Sequence, residues 1–233
     1  MILIQPDITV IANAIGEPSR AKMLIALMSG KALTATELAL EADITAQTAS
    51  SHLLKLVNSQ LLVVRKQGRH KYFQLKDHTI AELLEQLLNI SAGLNTSSTV
   101  TGPDDIALKQ SRICYDHLAG ERGVALYRAL VEQNILVDKA DTTILTESGN
   151  IFFRQLGVDI DLLSRAKRPL CKSCLDWSER VNHLAGSLGK WILQDALTRQ
   201  WSKQDMDSRV IRFNPSGIKQ FYKKYAIDPL GLA

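Results

Sequence analysis

Thr45-Ala-Gln-Thr-Ala-Ser-Ser-His-Leu-Leu-Lys-Leu-Val57 reads as one amphipathic helix, and the chain on either side of it makes sense once it is so read. Thr45 suits the N-cap, because its hydroxyl can accept a hydrogen bond from a free N–H of the first turn. Ala49, Leu53, Leu56 and Val57 recur at helical spacing and predict a core-facing stripe. Gln47, Thr48, Ser50, Ser51, His52 and Lys55 fill the other face with short or polar groups. Upstream, Ala35 to Glu41 predicts a shorter helix, and Ala42-Asp43-Ile44 a tight turn between the two. Helix, turn and polar helix form the helix-turn-helix pattern, whose second helix lies in the major groove and meets base edges.

Downstream, Leu61-Leu-Val-Val-Arg-Lys-Gln-Gly-Arg-His-Lys-Tyr-Phe-Gln-Leu75 places two β-prone runs around Gln67-Gly68, a hairpin signal. Its tip carries Arg65, Lys66, Arg69 and Lys71 with no acid, which suits backbone phosphates. A polar helix or a basic hairpin alone is an ordinary solvated surface. The two in this order predict a winged helix that binds DNA.

Ile15-Gly-Glu-Pro-Ser-Arg-Ala-Lys-Met-Leu-Ile-Ala-Leu27, Thr36-Glu-Leu-Ala39, Ala49-Ser-Ser-His-Leu53 and Gly68-Arg-His-Lys-Tyr-Phe-Gln-Leu75 resemble the ArsR group of winged-helix repressors over residues 8 to 92. The resemblance implies a homodimer that represses its own operon until an inducer arrives. Soft-metal members carry a Cys-x-Cys pattern just before the Asp/Glu-Leu-Ala segment. Leu33-Thr-Ala-Thr-Glu-Leu38 stands there in this chain and has no thiol. Nor do Asp77 and His78, being adjacent, offer paired ligands on one helix face. Sensing must therefore lie elsewhere.

The 233 residues suffice for one large or two small domains, and a 45% hydrophobic content marks a globular chain. No apolar run approaches the roughly 20 residues of a membrane span. Met1-Ile-Leu-Ile-Gln-Pro-Asp7 lacks the basic start of a signal peptide, so a cytoplasmic protein is expected. A net charge of +4 permits a nucleic-acid partner without requiring one. Three cysteines are too few for a disulfide framework and read as packing, metal or redox groups.

Ile8 to Ala14 reads as a short apolar helix, and Pro18 opens the next, which runs to about Met28 before Gly30. Ile80, Leu83, Leu84, Leu87 and Leu88 form a wide stripe on a helix from Ile80 to Ile90, an expected dimer seam with Ile8–Ala14. A dimer would set two reading helices about one DNA turn apart. The fold class expected is mainly α with short β-hairpins: an N-terminal winged helix over 1–92, a Ser/Thr/Gly-rich linker over 93–105, and an α-rich C-terminal domain over 106–233.

The C-terminal domain contains a duplication. His117-Leu-Ala-Gly-Glu-Arg-Gly123 recurs as His183-Leu-Ala-Gly-Ser-Leu-Gly189. Thr146-Glu-Ser-Gly-Asn-Ile-Phe-Phe153 is echoed by Asn214-Pro-Ser-Gly-Ile-Lys-Gln-Phe221, and Leu156-Gly-Val-Asp159 by Tyr225-Ala-Ile-Asp228. Three matches in register predict two repeats, about 106–160 and 171–229. Each unit is expected to run as a helix through the His-Leu-Ala-Gly segment, a loop, a short strand and a second helix. Gly120, Gly123, Gly186 and Gly189 would then sit mid-helix, where glycine costs up to ~1 kcal/mol against alanine and signals close approach.

Cys171-Lys-Ser-Cys174 is the sharpest chemical candidate. Lys167, Arg168 and Lys172 flank the two thiols and favour thiolate, the form that attacks peroxides, disulfides and electrophiles. A zinc site needs about four ligands, with Cys114, Asp176, His117 and His183 available to complete one. A further arrangement is a pocket between the repeats formed by Cys114, Tyr115, His117, Cys174, Trp177 and His183. Trp191 and Trp201 read as core. No phosphate-cradling glycine loop, nucleophile elbow or metalloprotease pair is found, so neither an enzyme nor a cofactor or metal is expected.

The reading is a homodimeric repressor. Gln47, Thr48, Ser51 and His52 would read the bases of a double-stranded operator; Lys55, Arg65, Lys66, Arg69 and Lys71 would hold phosphates, and Thr45 belongs to the same DNA-binding set. A thiol-reactive species or small ligand, sensed through Cys171, Cys174, Cys114, His117, His183, Tyr115 and Trp177, would release it. The alternatives are a constitutive DNA-binding protein without effector and a metal-responsive repressor working through Cys171 and Cys174.

Overall fold

The computed structural model describes residues 7–94, 105–139, 142–205 and 208–228. The chain divides into two compact units, Met1–Leu84 and Glu85–Ala233. Most of the expected linker (95–104) lies outside the described residues.

In the first unit, Asp7 caps α1 (Ile8–Ile15) and Pro18 opens α2 (Pro18–Leu27), whose Met23, Leu24 and Leu27 are fully buried. A short strand, β1 (Leu33–Thr34), leads into α3 (Ala35–Ala42). There Thr34 and Glu37 form a reciprocal capping box: the Glu37 N–H donates to the Thr34 hydroxyl and the Thr34 N–H to the Glu37 carboxylate. Asp43, in the left-handed region at φ 55°, ends α3 and makes the turn. Thr45 caps α4 (Ala46–Asn58), accepting from the Thr48 N–H at 3.2 Å. The hairpin follows as β2 (Leu62–Gln67) and β3 (His70–Leu75), with β1 on the far side of β3 in an antiparallel sheet ordered β1-β3-β2. α5 (His78–Leu94) is longer at both ends than the expected Ile80–Ile90.

The second unit takes in the end of α5, and its next described element is α6 (Ile106–Gln110). The first repeat is β4 (Arg112–Cys114), β5 (His117–Ala119), α7 (Glu121–Glu132), β6 (Leu136–Lys139), β7 (Thr142–Leu145) and α8 (Glu147–Gln155). After α9 (Ile160–Ser164) the second copies it as β8 (Lys172–Leu175), β9 (Asn182–Ala185), α10 (Gly186–Thr198), β10 (Ser202–Gln204), β11 (Ile211–Phe213) and α11 (Pro215–Tyr225). Each copy is hairpin, helix, hairpin, helix. Thr146 and Asn214 cap the last helices identically, each accepting from the N–H three residues on. Leu118, Leu130 and Phe153 of one copy and Leu184, Leu193 and Phe221 of the other belong to one core, with Trp191 and Trp201 packed partly buried against it.

The repeat therefore differs from the expected helix–loop–strand–helix. His-Leu-Ala is a strand in both copies, and the glycine after it ends that strand. Gly120 and Gly186 take φ 80° and 86°, where a side chain is strained. Gly123 and Gly189 lie in the first turn of α7 and α10, not mid-helix. A Cβ on Gly189 would sit 2.3 Å from the Leu184 carbonyl oxygen and 3.4 Å from the His117 Cβ; one on Gly123 would sit 2.5 Å from the Leu118 carbonyl and 3.6 Å from the His183 Cβ. Each glycine thus lets its helix close on its own hairpin while the other copy's histidine comes alongside.

Candidate functional site

In the first unit, α3 and α4 are fixed from below. Leu38, Ala39 and Ala42 of α3 and Ala49, Leu53 and Leu56 of α4 are buried, as their spacing predicts, while Val57 is half-buried. This leaves Thr45, Gln47, Thr48, Ser51 and Lys55 exposed on the opposite face of α4. In the hairpin, Lys66 pairs across the strands with Lys71, and Gln67 with His70. Arg65, Lys66, Arg69 and Lys71 are all exposed. Four like charges in so short a hairpin repel one another, a disposition that a polyanion relieves.

His52 is half-buried and tied back. Its Nδ1 lies 3.1 Å from Nη1 of Arg20 and 3.5 Å from a Glu17 carboxylate oxygen. Arg20 is itself buried, donating through Nε to the Ala14 carbonyl and through Nη2 to the Asn13 carbonyl, both at 2.6 Å. It joins the end of α1 to α4, a role the sequence reading missed. The available signal was a lone cation on the face that carries Met23, Leu24 and Leu27. Arg20→Met should cost roughly 1–3 kcal/mol through two stranded carbonyls and weaken DNA binding by freeing His52. Urea unfolding and DNA anisotropy on the same variant check both; unchanged stability would remove Arg20 from this role.

In the second unit the structure separates the two thiols of the Cys-x-x-Cys. Three residues apart on extended chain, they face opposite ways. Cys171 enters the hydrophobic core, where burial pushes its thiol up to about 12. Arg168 is engaged by the Asp116 carboxylate. The expected activation does not extend to Cys171, where desolvation in the core favours the neutral thiol over the thiolate.

Cys174 instead joins Cys114, His117 and His183, whose ligand atoms all lie within 4.8 Å of one another. Each hairpin supplies one directly opposed pair: Cys114 faces His117 across β4 and β5, and Cys174 faces His183 across β8 and β9. The two Nε2 atoms are 3.1 Å apart, and the rings tilt at 32° with centroids 5.0 Å apart. The outer nitrogens are matched as well: Nδ1 of His117 is 3.3 Å from Asp116 Oδ1, and Nδ1 of His183 is 3.2 Å from Asp176 Oδ2. The hydrogen bond with Cys174, together with burial, raises the Cys114 thiol well above its usual range. Burial opposes charge on His183, but its contacts with Asp176 and Cys114 outweigh it and raise the imidazole to about 9.

The remaining sensor candidates take other roles. Trp177 stacks under the Arg112 guanidinium, 4.9 Å from ring centroid to Cζ, and Tyr115 occupies the β4–β5 turn at φ 57°. His117 and His183, 3% and 0% exposed, fill the space between the repeats where a small-molecule pocket was expected.

No family model matches the chain. An uncharacterized HTH-type transcriptional regulator of Bacillus subtilis (strain 168), YdfF, is 40% identical over 219 residues, covering 94% of this chain and 96% of the relative. Among solved structures, the homodimeric winged helix-turn-helix DNA-binding domain (fragment 1–100) of Mb0332 from Mycobacterium bovis, a possible ArsR-family regulator, is 17% identical. The match covers 42% of this chain and 97% of that one, with a TM-score of 0.36. NolR from Sinorhizobium fredii is 21% identical over 39% of this chain and 96% of its own, with a TM-score of 0.34. The winged-helix assignment rests on the capped α3–α4 pair and the hairpin rather than on these two likenesses. Among the described residues, no helix is long and apolar enough to cross a membrane.

Proposed function

Because this chain belongs to the HTH-type transcriptional regulators, we propose that it is a homodimeric repressor whose winged helix binds a roughly palindromic operator. The carrying observation is the exposed polar face of α4 beside a hairpin tip that bears four exposed cations and no acid. Gln47, Thr48 and Ser51 read bases from α4, and Arg65, Lys66, Arg69 and Lys71 hold phosphates. Exposed apolar groups support the dimer: Ile8 and Val10 on α1 are 80% and 51% exposed, and Ile90 on α5 is 62% exposed. Apolar area of this kind favours burial against a second copy. The second unit is the responsive element, and its inducer is a thiol-reactive species or a small ligand.

Fluorescence anisotropy on the DNA upstream of its own gene tests this against a scrambled duplex. The native sequence should bind about 1,000-fold more tightly or better at the same salt concentration. Gln47→Ala/Ser51→Ala should lose roughly 1–3 kcal/mol of that discrimination while leaving the salt dependence unchanged. Equal affinity for both duplexes would remove the operator reading, and a monomer in sedimentation at binding concentrations would remove the dimer.

A further inference from the structure

We propose that Cys114, His117, Cys174 and His183 form a tetrahedral site for one divalent zinc-type ion that braces the two repeats of the second unit. Cys114-x-Asp116-His117-Leu-Ala-Gly120 in the first copy becomes Cys174-x-Asp176, six further residues, then His183-Leu-Ala-Gly186 in the second. Thiol, carboxylate and imidazole recur in the same order. Duplication turns one Cys/His pair into two, and the hairpins bring the pairs face to face.

The geometry selects the ligand. All four donor atoms fall within 4.8 Å of each other. A tetrahedral ion with bonds of about 2.0–2.3 Å needs donors roughly 3.3–3.8 Å apart, so small side-chain adjustments suffice. Each imidazole directs Nδ1 at its own repeat's aspartate and turns Nε2 inward. This carboxylate–histidine arrangement is what fixes the tautomer and orientation of metal-bound histidines. In a neutral ring, an Nδ1–H turned toward a carboxylate leaves Nε2 free to bind a metal. The two Nε2 atoms, 3.1 Å apart, can share either a proton or an ion, and the two thiols complete a four-donor set for the ion. Sulfur with imidazole selects a borderline metal over magnesium or calcium, which prefer oxygen.

Burial decides the type of site. Cys114, His117 and His183 are buried and Cys174 half-buried. With four protein ligands no position remains open for substrate, so the site is structural rather than catalytic. Binding releases the two thiol protons, and any proton on the inward Nε2 atoms, as the four donors take up the ion. The ion links β4–β5 to β8–β9 across the two copies. Cys171 has no part in it.

The test uses the full chain, kept reduced with a phosphine. After exposure to Zn2+ and dialysis, one zinc per chain should remain by mass spectrometry of the metal. Titration of metal-free protein with Co2+ should give the intense visible bands of a four-coordinate ion and a thiolate-to-cobalt charge-transfer band. Cys174→Ser should lower Co2+ affinity by more than roughly 100-fold, since even partners outside the ligand shell are worth about 10–100-fold. Cys171→Ala should leave stoichiometry and spectrum unchanged. The wild-type spectrum alone can overturn the proposal, whatever the variants do to folding. Weak six-coordinate bands, or no stoichiometric metal, would do so, as would equal loss in Cys171→Ala. Such a failure would leave the DNA-binding proposal intact, since no residue of α4 or the wing is involved.

Discussion

Asp176→Ala should lower the stability of the second unit by roughly 3–5 kcal/mol, the cost of leaving a buried charge without its partner. Asp176 and Arg112 are both fully buried, and Nη2 of Arg112 donates to Asp176 Oδ1 at 2.6 Å. The same carboxylate accepts the Gly120 N–H at 2.7 Å, the Ser178 N–H at 3.0 Å and the Ser178 hydroxyl at 2.7 Å. Burial alone would raise this acid. Its contacts with His183, Arg112 and Gly120 outweigh burial and hold it far below the usual carboxylate range. Alanine removes the anion but leaves Arg112 inside, against Trp177.

The measurement is urea unfolding of metal-free protein followed by circular dichroism, so that any change in metal affinity does not enter. A companion variant sharpens it. Arg112→Met/Asp176→Leu should recover the part of the loss that comes from the unpaired Arg112 charge, because replacing both members of a buried pair by apolar groups is often neutral, while the Gly120 and Ser178 N–H groups stay unpaired. A loss below about 1 kcal/mol in the single variant, or no recovery in the double, would show that the pair does not hold the repeats together as argued.

Arg112 belongs to the first copy and Asp176 to the second, and this asymmetry was not legible in sequence. The equivalent positions are Lys172 and Asp116, and Asp116 pairs instead with Arg168. The inserted stretch after Asp176 makes the difference, because it supplies Trp177 and Ser178 around the guanidinium. A repeat alignment finds equivalent residues but not which copy reaches across.

The first unit was far more readable. Period and capping act locally: Thr45 caps α4 with its own backbone, and Ala49, Leu53 and Leu56 face the core as spaced. Local chemistry also fixed the wing, where Gly68 takes φ 59° between strands that the β-prone runs define. The second unit resisted for the opposite reason. His-Leu-Ala is too short to show a period, and its identity as a strand depends on pairing with residues 112–114. The cysteine spacing misled in the same way. Cys171 and Cys174 are close in sequence, yet the partners of Cys174 are Cys114, His117 and His183, brought in by pairing and by the packing of two hairpins. Proximity along a strand is no guide to a shared face when the separation is odd.

Removing the wing charges should have the largest effect on DNA binding. Arg65→Ala/Lys66→Ala/Arg69→Ala/Lys71→Ala deletes four exposed cations from each hairpin, eight from a dimer. Each phosphate neutralised releases condensed counterions and adds about 0.9 to the slope of log affinity against log salt. The slope should flatten by about four if half the contacts are made and by about seven if all are. Affinity at about 0.15 M salt should fall on the order of 100-fold or more, equally for operator and scrambled duplex, because phosphates carry no sequence information. Folding should not suffer: the four side chains lie in solvent, and their loss removes like-charge repulsion between Lys66 and Lys71 across the hairpin. Thermal unfolding of the variant at or above the wild-type midpoint, with anisotropy at several salt concentrations, therefore separates the two effects. If the slope stays unchanged, the phosphate contacts come from elsewhere on the first unit, and the hairpin tip is an ordinary charged surface. If discrimination falls together with affinity, the wing reads bases and its role is larger than that of a phosphate clamp.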